Sequence, residues 1–294
     1  RTSSSAASDV YKRQTKEWNQ GGLKALPYKT FSSTEITAAF RYMQQAKHIG
    51  KVVVEMPEVS ATQKLIKPEA SYLITGGLGA LGLVVAEWMV KEGAKQIVLM
   101  GRSGPGETAQ KTIEELEAAG AKVSVLLGDV SVPRDVEEIF QQMGESLPPL
   151  KGVIHTAGVL DDGLMQNMSW EQFTKVMAPK VQGSWYLHQQ TQELELDFFV
   201  CFSSIASMLG NSGQGNYAAA NGFMDALASY RRGMGLPGLS INWGAWAKGG
   251  MAARLGTQHQ SRIESSGMRT IQPEEGMVAL ENLLLRSQSQ VGVF

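Results

Sequence analysis

From Ser71 to the end of the chain, short apolar runs alternate with stretches in which apolar residues recur at helical spacing. The run "SYLITGG" leads into a helix pattern, "QIVLMGR" into "AQKTIEELEAAG", and "KVSVLLGDV" into "PRDVEEIFQQMG". The series continues through "LKGVIHTAG", a long helix reaching Lys180, "LDFFVCFSS", a helix carrying Tyr217 and Asn221, and "GLSINWGAW". Runs this apolar lack the alternation of a half-exposed strand, so both their faces must be covered, and helices between successive strands keep those strands parallel. The pattern over residues 71–294 therefore predicts an α/β domain built on a doubly wound parallel sheet with helices on both faces. Ahead of it, residues 23–57 predict an extended piece, a Ser-capped amphipathic helix beginning near Ser33 or Thr34, and a strand in "GKVVVEM". That is too little to fold alone. Residues 58–70 read as a polar linker, and the Ser-rich residues 1–22 lack periodicity and are expected to be disordered or non-native.

Composition narrows the class. Hydrophobic residues make up 43% of the 294 and charged residues 19%, which suits a globular protein with a real core. The 27 basic and 28 acidic side chains nearly cancel, so no overall field draws nucleic acid or an anionic membrane. Between Tyr72 and Val90 only Glu87 is charged, yet the glycines and the strand-turn-helix pattern there favour a buried soluble segment over a membrane span. The single Cys201 lies in an apolar run and cannot form an internal disulfide, which fits a reducing cytoplasm. Four histidines show no i, i+4 pair, and metal catalysis is left unsupported.

In "YLITGGLGALG", Gly77, Gly79 and Gly82 fall in GxGxxG spacing directly after the first strand, with Thr75, Gly76 and Leu81 in the same turn. Such a turn lets the backbone approach a pyrophosphate, whose charge then meets free N–H groups at a helix N-terminus, as in a Rossmann-type fold. The second strand ends at "VLMGRSG", where Arg102, followed by Ser103, replaces the acidic residue that would hold the ribose hydroxyls of NAD. A guanidinium suits a 2′-phosphate, so NADPH is the expected cofactor; a solvated loop arginine is the plainer alternative. Asp129, next to Val130, follows the third strand and could meet an adenine amino group, while a helix N-cap formed by Asp129 or Ser131 explains it equally well. Ala157 and Gly158 after the fourth strand leave room for the nicotinamide ribose, or serve close packing.

Ketone reduction needs a hydride on carbon and a proton on oxygen. Tyr217 stands thirteen residues after Ser204, the spacing of the acid and its helper in short-chain dehydrogenases/reductases. A phenol, with a reference pKa of about 10, is a poor proton relay near neutrality without a neighbouring cation. Those enzymes place a lysine four positions beyond the tyrosine, but here that residue is Asn221. Lys180 in "VMAPKVQGSWYLH" is the candidate; spacing alone would leave it an ordinary surface lysine.

The segments "TGGLGALG", "GRSG", "GDV", "HTAGVLDDG", "FSSIASMLGNSGQGNYAAAN" and "WGAW" together resemble the ketoreductase catalytic domain of modular polyketide synthases. In that family the lysine and asparagine have exchanged positions. The resemblance implies a tetrad of Lys180, Ser204, Tyr217 and Asn221, in which Ser204 bonds the substrate carbonyl and Tyr217 donates the proton. Lys180 would lower the Tyr217 pKa and hold the cofactor ribose, and Asn221 would order the proton relay. It implies reduction of a β-ketoacyl thioester carried by a phosphopantetheinyl acyl carrier protein. Leu160, Asp161 and Asp162 match the fingerprint of B-type enzymes, and Leu209 stands where A-type enzymes have tryptophan, implying a D-configured hydroxyl. Asp161 and Asp162 could also be an exposed loop pair. "LPYKTF" and "AAFRYMQQAKHIGKVVV" resemble the C-terminal end of an enoylreductase, which implies enoylreductase, dehydratase and structural-subdomain neighbours in one synthase. Gly249 and Gly250 suit the hinges of a lid, with Trp243 and Trp246 packing it on the sheet. The competing readings are a free-standing short-chain reductase and a catalytically silent scaffold.

Overall fold

The computed structural model describes residues 26–46, 49–55, 65–247 and 269–294. Two compact units, residues 1–62 and 63–294, divide the chain. In the first, β1 (Tyr28–Ser32) and β2 (Lys51–Glu55) pair in parallel, from Tyr28 opposite Lys51 to Ser32 opposite Glu55, with α1 (Ile36–Gln44) between them in sequence. The helical turns begin at Ser33 with Ser32 as the N-cap, as the Ser-capped pattern predicts, and become α-helical from Ile36. Ser32 N–H donates to the Glu35 carboxylate at 3.1 Å, because a tight 3₁₀ turn over Ser33–Glu35 precedes the first α-helical turn. Only Ala39 of this helix is buried, and Phe40 and Met43 are exposed.

The second unit carries seven strands: β3 (Ser71–Thr75), β4 (Gln96–Gly101), β5 (Lys122–Leu127), β6 (Leu150–His155), β7 (Phe198–Ser204), β8 (Leu239–Trp243) and β9 (Gln290–Val293). They form one sheet in the order β5-β4-β3-β6-β7-β8-β9, every neighbouring pair parallel. Successive strand residues point to opposite faces, and the apolar runs divide accordingly. Tyr72 and Ile74, Ile97 and Leu99, and Phe198, Val200 and Phe202 join the core beneath α2 (Ala80–Lys91), α3 (Glu107–Ala118) and α9 (Pro273–Leu284). Leu73, Val98, Met100, Val153, Phe199 and Cys201 face α4 (Pro133–Ser146), α6 (Gln182–Gln190) and α8 (Gly215–Gly233). This is the Rossmann-type sheet covered on both faces that the apolar runs predicted.

Three local features go beyond the sequence reading. The helix through Lys180, α5 (Trp170–Lys180), is followed directly by a second, α6, the two dividing at Val181 just after Pro179, which has no N–H to continue the ladder. The helix α9 and strand β9 were not anticipated. β9 has only four residues, is half-exposed and contains Gly292, so it carries little periodic signal. Trp243 and Trp246 are buried with ring centroids 4.8 Å apart, and the Trp246 ring lies where a Gly276 side chain would stand, seating α9. The expected hinges Gly249 and Gly250 lie outside the described residues. Among the described residues no helix is long and apolar enough to cross a membrane.

The chain leaves β3 toward β4 and β5, then returns to β6 on the other side of β3. This reversal opens a crevice above the carboxyl ends of β3 and β6, where ligands of open α/β sheets bind. A short helix, α7 (Ala206–Leu209), follows β7 on the same rim.

Candidate active site

The glycine turn after β3 is built by contact rather than by flexibility alone. Gly76 has φ +68°, and a Cβ there would come within 2.8 Å of the Ala157 backbone; one at Gly82 would meet the Gly76 carbonyl at 2.6 Å. Helix α2 is thereby drawn against the turn, and its N-cap is Gly79, so no side chain covers the helix end. A cleft of about 340 Å³ opens beside the turn and brings together Gly76, Arg102, Asp129, Val130, Ala157 and Gly158. Thr75, Gly77, Gly79, Leu81, Gly82 and Ser103 lie outside its lining. Thr75 is buried beneath, its hydroxyl 2.6 Å from His155 Nδ1.

Arg102 is exposed at the end of β4 and has no acidic partner among the described residues. Asp129 accepts from the Ser131 N–H at 2.9 Å and its hydroxyl at 2.6 Å, forming a local turn. The N-cap alternative for this pair is corrected: Val132 is the N-cap of α4. Asp135 on that helix reaches back and accepts from the Asp129 N–H at 2.7 Å, which fixes the loop.

Four side chains converge on the same rim from three elements. Lys180 ends α5, Ser204 ends β7, and Tyr217 and Asn221 occupy one face of α8, a turn apart. Lys180 is buried and its Nζ donates to the Phe202 carbonyl at 3.1 Å, lying 5.3 Å from the Tyr217 ring centroid. Burial lowers its pKa to about 8, against raising by Cys201 and Asp225. The Cys201 thiol is itself pushed up to about 12 by burial. Burial raises the Tyr217 phenol, and the polar side chains of Asn221 and Ser204 pull it partly back. Desolvation thus leads the Tyr217 shift, while the Lys180 ammonium, across the ring from it, is directed to the Phe202 carbonyl.

A family model described as the KR domain matches residues 70–248. The chain belongs to the KR domain family. It is 38% identical over 282 residues to a subunit of the phenolphthiocerol/phthiocerol polyketide synthase of Mycobacterium tuberculosis, covering 93% of this chain and 12% of that protein. The spectinabilin polyketide synthase system protein NorB of Streptomyces orinoci is 40% identical over 271 residues, covering 91% of this chain and again 12% of that protein. The chain therefore spans about an eighth of the length of these relatives. Among solved structures, an A-type ketoreductase from a modular polyketide synthase has TM-score 0.73 at 34% identity, over 78% of this chain and 48% of that one. The first ketoreductase of the tylosin synthase has TM-score 0.69 at 39% identity, over 80% and 50%.

Around these four side chains lie residues that sequence reasoning missed. Asn216 is fully buried; its Nδ2 donates to the Asp161 carbonyl at 2.9 Å and its Oδ1 accepts from the Tyr217 N–H at 2.8 Å, joining the 160–163 loop to the tyrosine. Asp161 accepts from Gln172 at 2.9 Å and Lys175 at 2.8 Å, which together hold its carboxyl below the usual range, Lys175 most. Asp162 accepts from Gln214 at 2.8 Å. Asp161 is half-buried and Asp162 exposed, and both carboxylates tie the loop to neighbouring elements. Leu160 is half-buried, and Leu209 is exposed at the end of α7. Beneath Ser204, the buried Asp225 accepts from Ser207, Ser240 and Asn242 at 2.6, 2.5 and 2.9 Å, joining α7, β8 and α8. His155 is held neutral, its pKa lowered to about 3 by burial and then by the Lys180 charge. Its place in "HTAG", at the end of a predicted strand, was the available signal.

Proposed function

We propose that this KR domain reduces a carrier-protein-bound β-ketoacyl thioester to the β-hydroxyacyl thioester with NADPH, in polyketide or fatty acid biosynthesis. The convergence of Lys180, Ser204, Tyr217 and Asn221 beside the glycine-walled cleft carries the reading. The residues fit the cofactor: Gly76 and Gly82 leave the backbone bare where a Cβ would clash, and Arg102 offers a guanidinium with no acidic partner among the described residues. When bound, NADPH supplies the hydride that reduces the carbonyl carbon. Tyr217 then delivers its proton to the carbonyl oxygen. Ser204 Oγ accepts from the Ala206 N–H at 3.2 Å, which fixes the hydroxyl beside the Tyr217 phenol, where it would also bond that oxygen. Lys180 stabilises the tyrosinate formed as the proton leaves, and Asn221 orders the return path. Asp129, Val130, Ala157, Gly158 and Ser103 would line the adenosine and ribose, with Thr75, Gly77, Gly79 and Leu81 shaping the pyrophosphate turn.

Leu160, Asp161, Asp162 and Leu209 support a B-type outcome with a D-configured hydroxyl, although the likeness to an A-type structure is close at the level of the fold. The partners on this reading are the phosphopantetheinyl acyl carrier protein, a structural subdomain, and enoylreductase and dehydratase neighbours, residues 23–57 being the end of the enoylreductase. The half-exposed Trp185 and exposed Tyr230, on α6 and α8, are an apolar surface suited to such a subdomain. A cytoplasmic setting accompanies it.

Arg102→Ser is expected to raise the KM for NADPH by about tenfold or more and leave that for NADH nearly unchanged, as loss of one charge-assisted bond implies. Equal effects on both would remove Arg102 from the 2′-phosphate. Chiral chromatography of the product should give the D alcohol; an L alcohol would overturn the B-type assignment alone.

A further inference from the structure

Lys175 serves two parts of the site. It lines the cleft with Ala178 and Pro179 of the same helix, while its Nζ donates to Asp161 Oδ2 at 2.8 Å. Asp161 is anchored independently of it: Oδ1 accepts from Gln172 at 2.9 Å, and the backbone carbonyl accepts from Asn216 at 2.9 Å. The substrate-side loop therefore keeps its moorings when Lys175 turns away. The Lys175 side chain is 60% exposed, and an ion pair so open to water contributes little and exchanges readily. A multiply charged phosphate group within the cleft competes well against one carboxylate for the same ammonium.

We infer that Lys175 is a shared cation, held by Asp161 until a phosphate of the bound dinucleotide takes it, so that cofactor loading releases one tether of the substrate-side loop. This rests on the NADPH reading of the cleft. It makes Asp161 a competitor for the lysine, and the two side chains then have opposite effects on cofactor affinity.

The test is fluorescence titration of the full chain with NADPH at fixed ionic strength, repeated with NADH. Asp161→Asn frees the lysine and should lower the NADPH Kd by about twofold to fivefold, and Lys175→Met should raise it by a similar factor, the range an exposed ion pair spans. The double variant should match Lys175→Met. A pair that merely braces the loop would weaken binding in every variant, so looser or unchanged binding by Asp161→Asn would overturn the inference, as would unchanged binding by Lys175→Met. An effect on both dinucleotides assigns the lysine to the pyrophosphate, and one confined to NADPH assigns it to the 2′-phosphate. A parent chain that binds neither dinucleotide would overturn the cofactor reading itself.

Discussion

Tyr217→Phe is expected to lower turnover of a β-ketoacyl thioester by about 10²–10⁴-fold, the span a positioned acid contributes, with NADPH affinity unchanged. Only the hydroxyl is removed. The Tyr217 backbone is fixed on both sides by other groups, its N–H by Asn216 Oδ1 at 2.8 Å and its carbonyl by Asn221 Nδ2 at 2.7 Å. The phenylalanine ring can therefore occupy the same place on α8, and the loss reads proton delivery rather than folding. Steady-state NADPH oxidation beside a binding titration separates the two; an undiminished kcat would take the acid's role from Tyr217.

Lys180→Met carries the second large effect and adds a pH signature. In the parent chain the ammonium is present below a pKa of about 8 and is lost above it. Activity should accordingly fall as pH rises through about 8, since the charge that stabilises the tyrosinate disappears. In Lys180→Met that alkaline limb should vanish, with turnover reduced by about 10²-fold or more across the range, as for loss of a charged group acting in the transition state. The stability sign is opposite to the activity sign. The folded-state pKa lies below the unfolded value, so the unfolded chain holds the proton more tightly and this group's contribution to stability grows as pH rises from about 8 to about 10.4. A buried ammonium is thus an expense to the fold near neutrality, and the methionine variant should melt no lower than its parent. A marked drop in its Tm, or an unaltered alkaline limb, would contradict the assignment.

How far these features could be read from sequence depended on whether the determining contacts were local. The glycine turn was legible because its strand, its spacing and its helix are contiguous, and the strands because burial on both faces makes them uniformly apolar. Tyr217 and Asn221 share a helix face, which spacing alone reveals. Lys180 does not share it: the contact that places it runs from the end of α5 to the Phe202 carbonyl, twenty-two residues away, and only the sheet brings them together. Without the family likeness a lysine beside Pro179 read as surface. Distance in sequence also hid the roles of Asp161 and Asp162, whose partners Gln172, Lys175 and Gln214 lie on other elements. The start of α1 could be read only to within a residue, because Ser32, Ser33 and Thr34 can all cap a helix and propensity does not choose among them. Asp225 went unremarked because a single acid in an amphipathic helix gives no hint that three hydroxyl and amide donors surround it.

One experiment bears on the whole reading of the site. The chain would be given a β-ketoacyl N-acetylcysteamine thioester and NADPH deuterated at both C4 positions, and the product analysed by mass spectrometry. The reading requires one deuterium on the β-carbon of a newly formed hydroxyl, absent with Tyr217→Phe under the same conditions. A folded chain that binds NADPH yet returns the thioester unlabelled and unreduced would contradict it and point instead to a silent ketoreductase fold that scaffolds its neighbours.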